Sequence, residues 1–541
     1  MASHGGQRVF IASLGITLAI VIAAAAFPEA VGGFAAFALD GTTRLFGWFY
    51  LFTLFSGVVL LGWLALGRYG KIRLGPQDSR PDYGFFSWIS MLLAAGFGVG
   101  LVFYGMAEPM THYIDPPYGD VPAESIASAR HAIQFSYFNW GVHQWAAFSV
   151  VGLIIAYFQF RKGQAGLVSS VLSSVTPQDS RFRPFIGWLD VFAVVATVMG
   201  VATSLGLGVL QMNGGLNAVF GLPENTLWQF IILFVMFLAY MASTWAGLDR
   251  GIRRLSNLNM ILCIGLMLYV LVTGPTVAIL ETILLGFGDY LQNFIGMSLR
   301  TTPYSNDAWA QEWTLFYWAW AIAWSPFVGT FVARVSRGRT IKEYVVGVLL
   351  VPPLLACLWI GVFGGAAINM ELGADVGLAA ATQDNITVAL FEMFELMPFS
   401  GALSVVAMLL IFIFLVTSAD SASYIVAQMT DAGSINPPLF KRVIWGVLIA
   451  AICLTLIVAG GLTGLQSASV LSALPFSLVL YGMAAALIRT LQRDHRSLLT
   501  QLYRRHGETP VGADAFEAES LGEEERLRRA PPGVVKRRIK R

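Results

Sequence analysis

The 541-residue sequence predicts an all-α polytopic membrane protein of twelve transmembrane helices, and three observations carry that prediction. Hydrophobic residues form 56% of the chain and charged residues 12%, a balance foreign to ordinary soluble domains. Apolar stretches recur at the ~20-residue length that a hydrocarbon core of ~30 Å requires. Basic residues gather in alternate connecting segments, as they do where every second loop faces the cytoplasm.

Taken in order, the spans fall near 9–27, 46–67, 85–107, 132–159, 186–211, 227–247, 256–274, 313–334, 342–368, 402–428, 442–462 and 467–488. The first lacks a small-residue cleavage site, so it reads as a retained span rather than a removed signal peptide. Residues 277–298 carry Glu281, Asp289 and Gln292 among apolar neighbours and suit an amphipathic helix in the interface. Arg68, Lys71, Arg73 and Arg80 follow span two; Arg161, Lys162, Arg181 and Arg183 follow span four. Arg250, Arg253 and Arg254 follow span six, Arg334, Arg337, Arg339 and Lys342 follow span eight, and Lys441 and Arg442 precede span eleven. Alternate loops hold isolated bases such as Arg44, Arg130 and Arg300, so both termini are expected in the cytoplasm.

Spans three to seven and eight to twelve can be overlaid as two five-helix units of opposite topology. The chain then divides into 1–84 (a terminal tail and two peripheral helices), 85–275 (first unit), 276–300 (interfacial helix), 301–488 (second unit) and 489–541 (a charged cytoplasmic tail). Each unit's first helix carries an interruption: Gly96-Phe97-Gly98-Val99-Gly100 in one, Ser325-Pro326 in the other. Unwound backbone at membrane depth is tolerated where it lines a cavity or is buried, and paired interruptions in inverted halves point to a midplane site in a secondary transporter.

Aromatic residues sit beside both interruptions. Trp320, Trp324 and Phe327 follow helical spacing and share a face; Trp140, Trp145 and Phe148 share an arc on another span. Indole faces attract onium groups by ~0.5–2 kcal/mol per well-placed ring. A zwitterion also needs donors for its carboxylate, and N–H groups freed at Gly96, Gly98 and Gly100 would supply them, aided by the positive end of the following half-helix. Tight helix packing by small residues is the plainer alternative for the glycines. Cys263, Cys357 and Cys453 lie in apolar stretches, and His112, His131 and His143 have no metal spacing. With no paired carboxylates or nucleophile motif in the spans, enzymatic function is not expected, and neither is a cofactor or a nucleic-acid partner.

Gly96 to Gly105 leading into Glu108-Pro109, Trp313 to Trp320 followed by Trp324-Ser325-Pro326-Phe327-Val328-Gly329, the run Ala333 to Thr340, and Thr417-Ser418-Ala419-Asp420-Ser421 together resemble the betaine/carnitine/choline transporter (BCCT) family, over residues 10–490. The resemblance implies a LeuT-type 5+5 inverted repeat, frequently trimeric, moving trimethylammonium compounds and related osmolytes across the plasma (inner) membrane. It places Trp140, Trp145, Phe148, Trp320 and Trp324 in the substrate cage, with Gly96, Gly98, Gly100, Ser204 and Phe327 beside them. It implies a sodium site made by Thr417, Ser418 and the carbonyls of Ala94, Phe97 and Phe414, with sodium as coupling ion, although Thr and Ser hydroxyls also bond back to their own helix. Arg334, Arg337 and Arg339 stand as a cytoplasmic gate or anchor.

Three departures from the family pattern stand out. Ala321 occupies a position where betaine carriers often have a cage Trp. Val201 replaces a threonine of a second sodium site that would include Thr197 and Phe327. Gly100 stands where proton-coupled choline carriers have Asp, which favours a zwitterion and sodium. The expected function is import of a betaine-type osmolyte by sodium symport; alternatives are an ion-independent exchanger of carnitine-like compounds, a carrier of choline or of a sulfonium or cyclic osmolyte, and an osmolyte-sensing receptor. Glu108 and Asp420 lie near span ends, where a functional and a solvated or capping role are both open. The tail, with Arg504-Arg505, Glu523-Glu524-Glu525, Arg526 to Arg529 and Lys536 to Arg541, is either a lipid-binding osmotic sensor or a solubilising extension.

Overall fold

The computed structural model of the chain describes residues 2–96, 98–177, 179–246, 249–304 and 308–505, without the side chains of 2–5, 94, 95, 184, 246, 249–254, 256 and 495–505. Helices account for nearly all of it. They run α1 Ala2–Ala26, α2 Pro28–Leu66, α3 Phe85–Gly96, α4 Val99–Ile114, α5 Ile126–Trp140, α6 Val142–Ala156, α7 Val168–Ser173, α8 Ile186–Phe220 and α9 Thr226–Ala246. Then come α10 Asp249–Thr273, α11 Thr276–Ser298, α12 Trp309–Glu312, α13 Thr314–Val335, α14 Ile341–Ala374, α15 Leu378–Asp384, α16 Ala389–Glu395, α17 Ser400–Met429 and α18 Leu439–Arg505.

Local chemistry sets several of these ends. Ser125 and Ser128 form a capping box at the start of α5, and Thr340 and Glu343 form another at the start of α14. Gly221 ends α8 in the left-handed region (φ 68°).

Nine helices among the described residues are long and apolar enough to cross a membrane, and α10 with α11, bent by 113°, makes a tenth if counted as one span. The difference from twelve has three local causes. Spans eleven and twelve join in α18, kinked at Gly461 (φ 54°). Span three divides into α3 and α4, each too short alone. Span seven is the α10 limb of the bent pair, whose second limb α11 covers the segment expected to lie in the interface. α11 turns Ile279, Ile283, Asp289 and Tyr290 inward and leaves Val277, Leu284, Leu291 and Ile295 exposed.

One expectation fails. The eighth span is not interrupted at Ser325-Pro326: α13 runs through Pro326 unbroken. Proline removes the N–H that would bond the carbonyl four residues back, that of Ile322. Ser325 Oγ donates to that carbonyl at 2.7 Å, so the orphaned acceptor is satisfied and the helix continues. A break does occur where none was expected, at Gly141 between α5 and α6 (φ −84°, ψ −142°). There Val142 N–H donates to the Tyr290 hydroxyl at 3.0 Å, and a Cβ on Gly141 would lie 2.5 Å from that oxygen.

The α13 and α5–α6 spans are 94% buried over their most apolar windows, whereas the α1 and α9 windows are 22% buried. The aromatic helices therefore form the centre and α1 and α9 the periphery. α13 packs against α6, α8 and α18, and α4 against α5 and α14.

Three of the basic loops meet at one end of the bundle. Leu74 N–H donates to Arg339 O and Gly338 N–H to Leu74 O, each at 2.8 Å, and Arg73 pairs with Thr340 in an isolated antiparallel bridge. Arg73 Nη1 donates to Gly338 O at 2.8 Å, and Arg161 Nη1 reaches Gly75 O at 3.1 Å.

Candidate functional site

The broken third span, α5–α6 and α13 converge on one small cavity. It is lined by Gly96, Gly98, Gly100, Trp140, Gln144, Phe148, Trp320, Ala321 and Trp324, and its volume is about 10 Å³. That volume suits at most one water, so the rings must part to admit a solute. A larger groove of about 520 Å³ opens on the outer face between α5 and α11. Its charged residues, Arg130 and Asp289, already pair bidentately at 2.5 and 2.6 Å, and it lies away from the indoles.

Each glycine at the break faces an indole. A Cβ on Gly96 would lie 2.1 Å from Trp145 Cη2, one on Gly98 3.2 Å from Trp324 Cη2, and one on Gly100 2.3 Å from Trp320 Cη2 and 3.0 Å from Trp140 Cη2. A side chain at Gly96 or Gly100 would overlap these rings, and one at Gly98 would press on Trp324. Gly98 is extended (φ −100°, ψ −175°) at the start of α4, and among the described residues no side chain caps that terminus. Leu101 N–H turns back to Gly98 O at 3.2 Å, and the N–H groups of Val99 and Gly100 with the helix dipole lie beside the indoles, a favourable place for an anionic group.

The rings are held individually. Trp320 stacks on Phe316 (centroids 5.7 Å apart, 8° between planes) and lies 6.3 Å from Trp324. Trp320 Nε1 donates to Ser204 Oγ at 3.2 Å and to Gly200 O at 3.3 Å. Trp140 meets Trp320 edge-on at 6.2 Å, and its Nε1 donates to Glu108 Oε2 at 2.6 Å. Phe148 meets Trp324 at 6.0 Å. Trp324 Nε1 is buried with no partner among the described residues.

Most of the expected cage residues come together. Gly96, Gly98, Gly100, Trp140, Phe148, Trp320 and Trp324 line the cavity. Trp145, Ser204 and Phe327 stand one layer back: Trp145 packs on Gly96 and Phe148, Ser204 holds Trp320, and Phe327 packs on Trp324 at 5.7 Å. Ala321, noted for lacking a ring, is itself part of the wall.

One contribution was not foreseen, and one role left open is decided. Gln144 lines the cavity, and with Asn139, His143 and Ser149 on the same span it was one of several polar residues that the aromatic pattern overshadowed. Glu108 does not lie at a solvated span end. Its side chain is fully buried, with Asn139 Nδ2 donating to Oε1 at 2.9 Å, Trp140 Nε1 to Oε2, and His112 Nε2 3.2 Å from Oε1. Asn139 Oδ1 in turn accepts from Thr314 Oγ1 at 2.9 Å, which ties the network to α13. Asp420 is likewise buried, accepting from Ser243 Oγ at 2.7 Å and from Thr244 Oγ1.

Of the expected sodium ligands, Phe414, Thr417 and Ser418 lie on one stretch of α17, Ala94 is in the last turn of α3, and Phe97 lies outside the described residues. Thr417 Oγ1 donates to Ile413 O at 2.8 Å and to Phe414 O at 3.1 Å. No group of three or more His, Cys, Asp or Glu suited to a metal occurs among the described residues.

The three arginines after α13 differ in kind. Arg334 and Arg337 are exposed, while Arg339 is buried, with Nη2 donating to Tyr83 O at 2.9 Å and its guanidinium 3.9 Å over the Trp88 ring. Burial lowers the pKa of Arg339, and Glu343 opposes that shift. The distal tail, 506–541, lies outside the described residues.

The chain is similar over most of its length to known proteins. The chain is 50% identical over 488 residues to an ectoine/hydroxyectoine transporter of Virgibacillus pantothenticus, covering 90% of this chain and 97% of that one. It is 42% identical over 497 residues to the glycine betaine transporter OpuD of Bacillus subtilis (strain 168), covering 91% and 96%. Among solved structures, a mutant manganese transporter of Eremococcus coleocola aligns at 12% identity and a TM-score of 0.41 over 84% of this chain and 95% of that one, too low a score to bear on the fold. The profile of the betaine/carnitine/choline family transporters matches residues 8–496, and with it the chain belongs to that family, a class of transporters and not of enzymes.

Proposed function

We propose that this chain is a secondary carrier that imports a compact zwitterionic osmolyte, of the glycine betaine or ectoine kind, by sodium symport and alternating access. The observation that carries the reading is the meeting of three glycines with four indoles at the uncapped start of α4. The carboxylate of such a solute would take the N–H groups at that terminus and the unpartnered Trp324 Nε1, while its cationic end lies against the faces of Trp140, Trp320 and Trp324. The relatives' names bracket the cargo.

Sodium coupling rests on Phe414, Thr417 and Ser418 with Ala94 and Phe97. Thr417 gives its proton to its own helix and keeps oxygen lone pairs for a hard cation. Alternating access follows from a closed cage that must open. The twelve-span count takes α18 as two spans and α3 with α4 as one; spans three to seven and eight to twelve then form the inverted repeat. The unbroken α13 removes the paired-interruption argument for that repeat, which rests on the order of spans and the resemblance. The joined basic loops support one cytoplasmic face, hence inner-membrane placement with both termini inside, and α11 offers an exposed apolar face to neighbouring copies in a homotrimer. Arg339 is the anchor of that face, with the exposed Arg334 and Arg337 placed to act as a gate.

The test is counterflow of labelled glycine betaine and ectoine in proteoliposomes, with sodium or potassium outside. Sodium-dependent exchange of at least one compound is expected. Exchange undiminished in potassium removes the symport, and binding without exchange leaves a receptor.

A further inference from the structure

Gln144 sits in the first turn of α6, just past the Gly141 break, and lines the cavity with the three glycines. Gln144 is 6% exposed as a residue, and its amide, open to the cavity, makes no hydrogen bond among the described residues. An amide that opens onto a cavity without a protein partner is left to bond a water or a ligand there. The neighbouring wall supplies a second unpartnered group, Trp324 Nε1, which is buried and has no partner among the described residues.

The two groups differ in what they offer. An indole N–H only donates, so it suits a carboxylate. A glutamine amide has in addition a carbonyl oxygen that wants an N–H or O–H. A fully methylated ammonium carries no N–H, gives that oxygen nothing, and leaves it dehydrated. A cyclic amidinium carries N–H groups in the plane of a delocalised cation, and a planar cation stacks on indole faces as a guanidinium does. Ala321 ends at Cβ in the same wall, which leaves width for a ring once the indoles part.

We propose that Gln144 is the specificity-determining residue of this cage, favouring osmolytes whose cationic end bears N–H donors, the cyclic amidinium carboxylates of the ectoine kind, over fully methylated ammonium compounds. The proposal rests on the osmolyte-carrier reading above and sharpens it. A site built to bond a substrate N–H loses affinity for the analogue without one, because its own acceptor is then buried unpaired.

The test is calorimetric binding of ectoine and of glycine betaine, in sodium, to the purified full chain and to Gln144→Leu and Gln144→Glu. The wild type is expected to bind ectoine about tenfold more tightly than glycine betaine, the scale of one buried hydrogen bond. Gln144→Leu should bring the ratio of the two dissociation constants to near one or reverse it, whereas Gln144→Glu, which keeps an acceptor, should preserve the preference for ectoine. A ratio unchanged in Gln144→Leu, equal losses of both ligands in Gln144→Glu, or a wild type that favours glycine betaine overturns the proposal while leaving the carrier reading intact. A wild type that binds neither compound overturns both.

Discussion

Replacing Glu108 tests whether the cage is held from behind. The carboxyl group is fully buried and accepts from Asn139 Nδ2 at 2.9 Å and Trp140 Nε1 at 2.6 Å, with His112 Nε2 at 3.2 Å. An apolar replacement of a buried polar group is sometimes neutral, because the dehydration cost goes with it. Here the partners remain, so Glu108→Leu strands at least two buried donors at ~1–3 kcal/mol each, and partial relaxation brings the total to about 3 kcal/mol. Part of this falls on folding and part on the Trp140 ring, which loses its tether. The milder Glu108→Gln keeps one acceptor oxygen and sets an NH₂ against a donor, for a loss of about 1 kcal/mol. Thermal unfolding followed by tryptophan fluorescence, with glycine betaine or ectoine titrations on the same samples, should rank wild type above Glu108→Gln above Glu108→Leu in both melting temperature and affinity. A Glu108→Leu protein as stable and as tight-binding as wild type would refute the reasoning.

Three further outcomes are expected. Gly100→Ala sets a Cβ 2.3 Å from Trp320 Cη2, an overlap that costs about 1–3 kcal/mol if the ring yields, so uptake should show a KM raised roughly tenfold or more; a wild-type KM would mean that Trp320 does not lie over this helix start. Thr417→Val with Ser418→Ala should abolish the sodium dependence of ligand binding, read as equal thermal shifts in sodium and potassium, and a retained sodium effect would move the ion elsewhere. Arg339→Ala removes the cation over Trp88 and the donor to Tyr83 O, so it should lower the melting temperature more than Arg337→Ala, whose side chain is exposed; equal effects would count against the anchor.

Much of the molecule was legible because lipid imposes a simple rule on sequence. Every spanning segment must be apolar over a fixed length and satisfy its own backbone, so composition declared the helical membrane class and the apolar runs marked where its helices lie, though several helices, such as α2 and α8, run well past the expected bounds. The run Gly96 to Gly100 announced a break, and the indole spacing announced the face that meets it, since both are local properties of one helix. Ser325-Pro326 misled because a proline's missing bond is a local deficit with a local remedy: the neighbouring hydroxyl takes the Ile322 carbonyl, and sequence does not say which way that hydroxyl turns. Gly141 was passed over because its need for a bare Cα comes from Tyr290, a residue distant in the chain.

The sequence by itself thus determined what kind of solvent surrounds the chain, how its helices are spaced, and which aromatic and glycine residues are available for a site. Only the tertiary structure decided which indole faces which glycine, that Glu108 sits buried behind Trp140, and that Gln144 lines the cavity without a partner among the described residues. The physical reason is that hydrophobic burial is additive along a segment and can be read from it, whereas hydrogen bonds and ring contacts between helices depend on rotations and offsets that no single segment encodes.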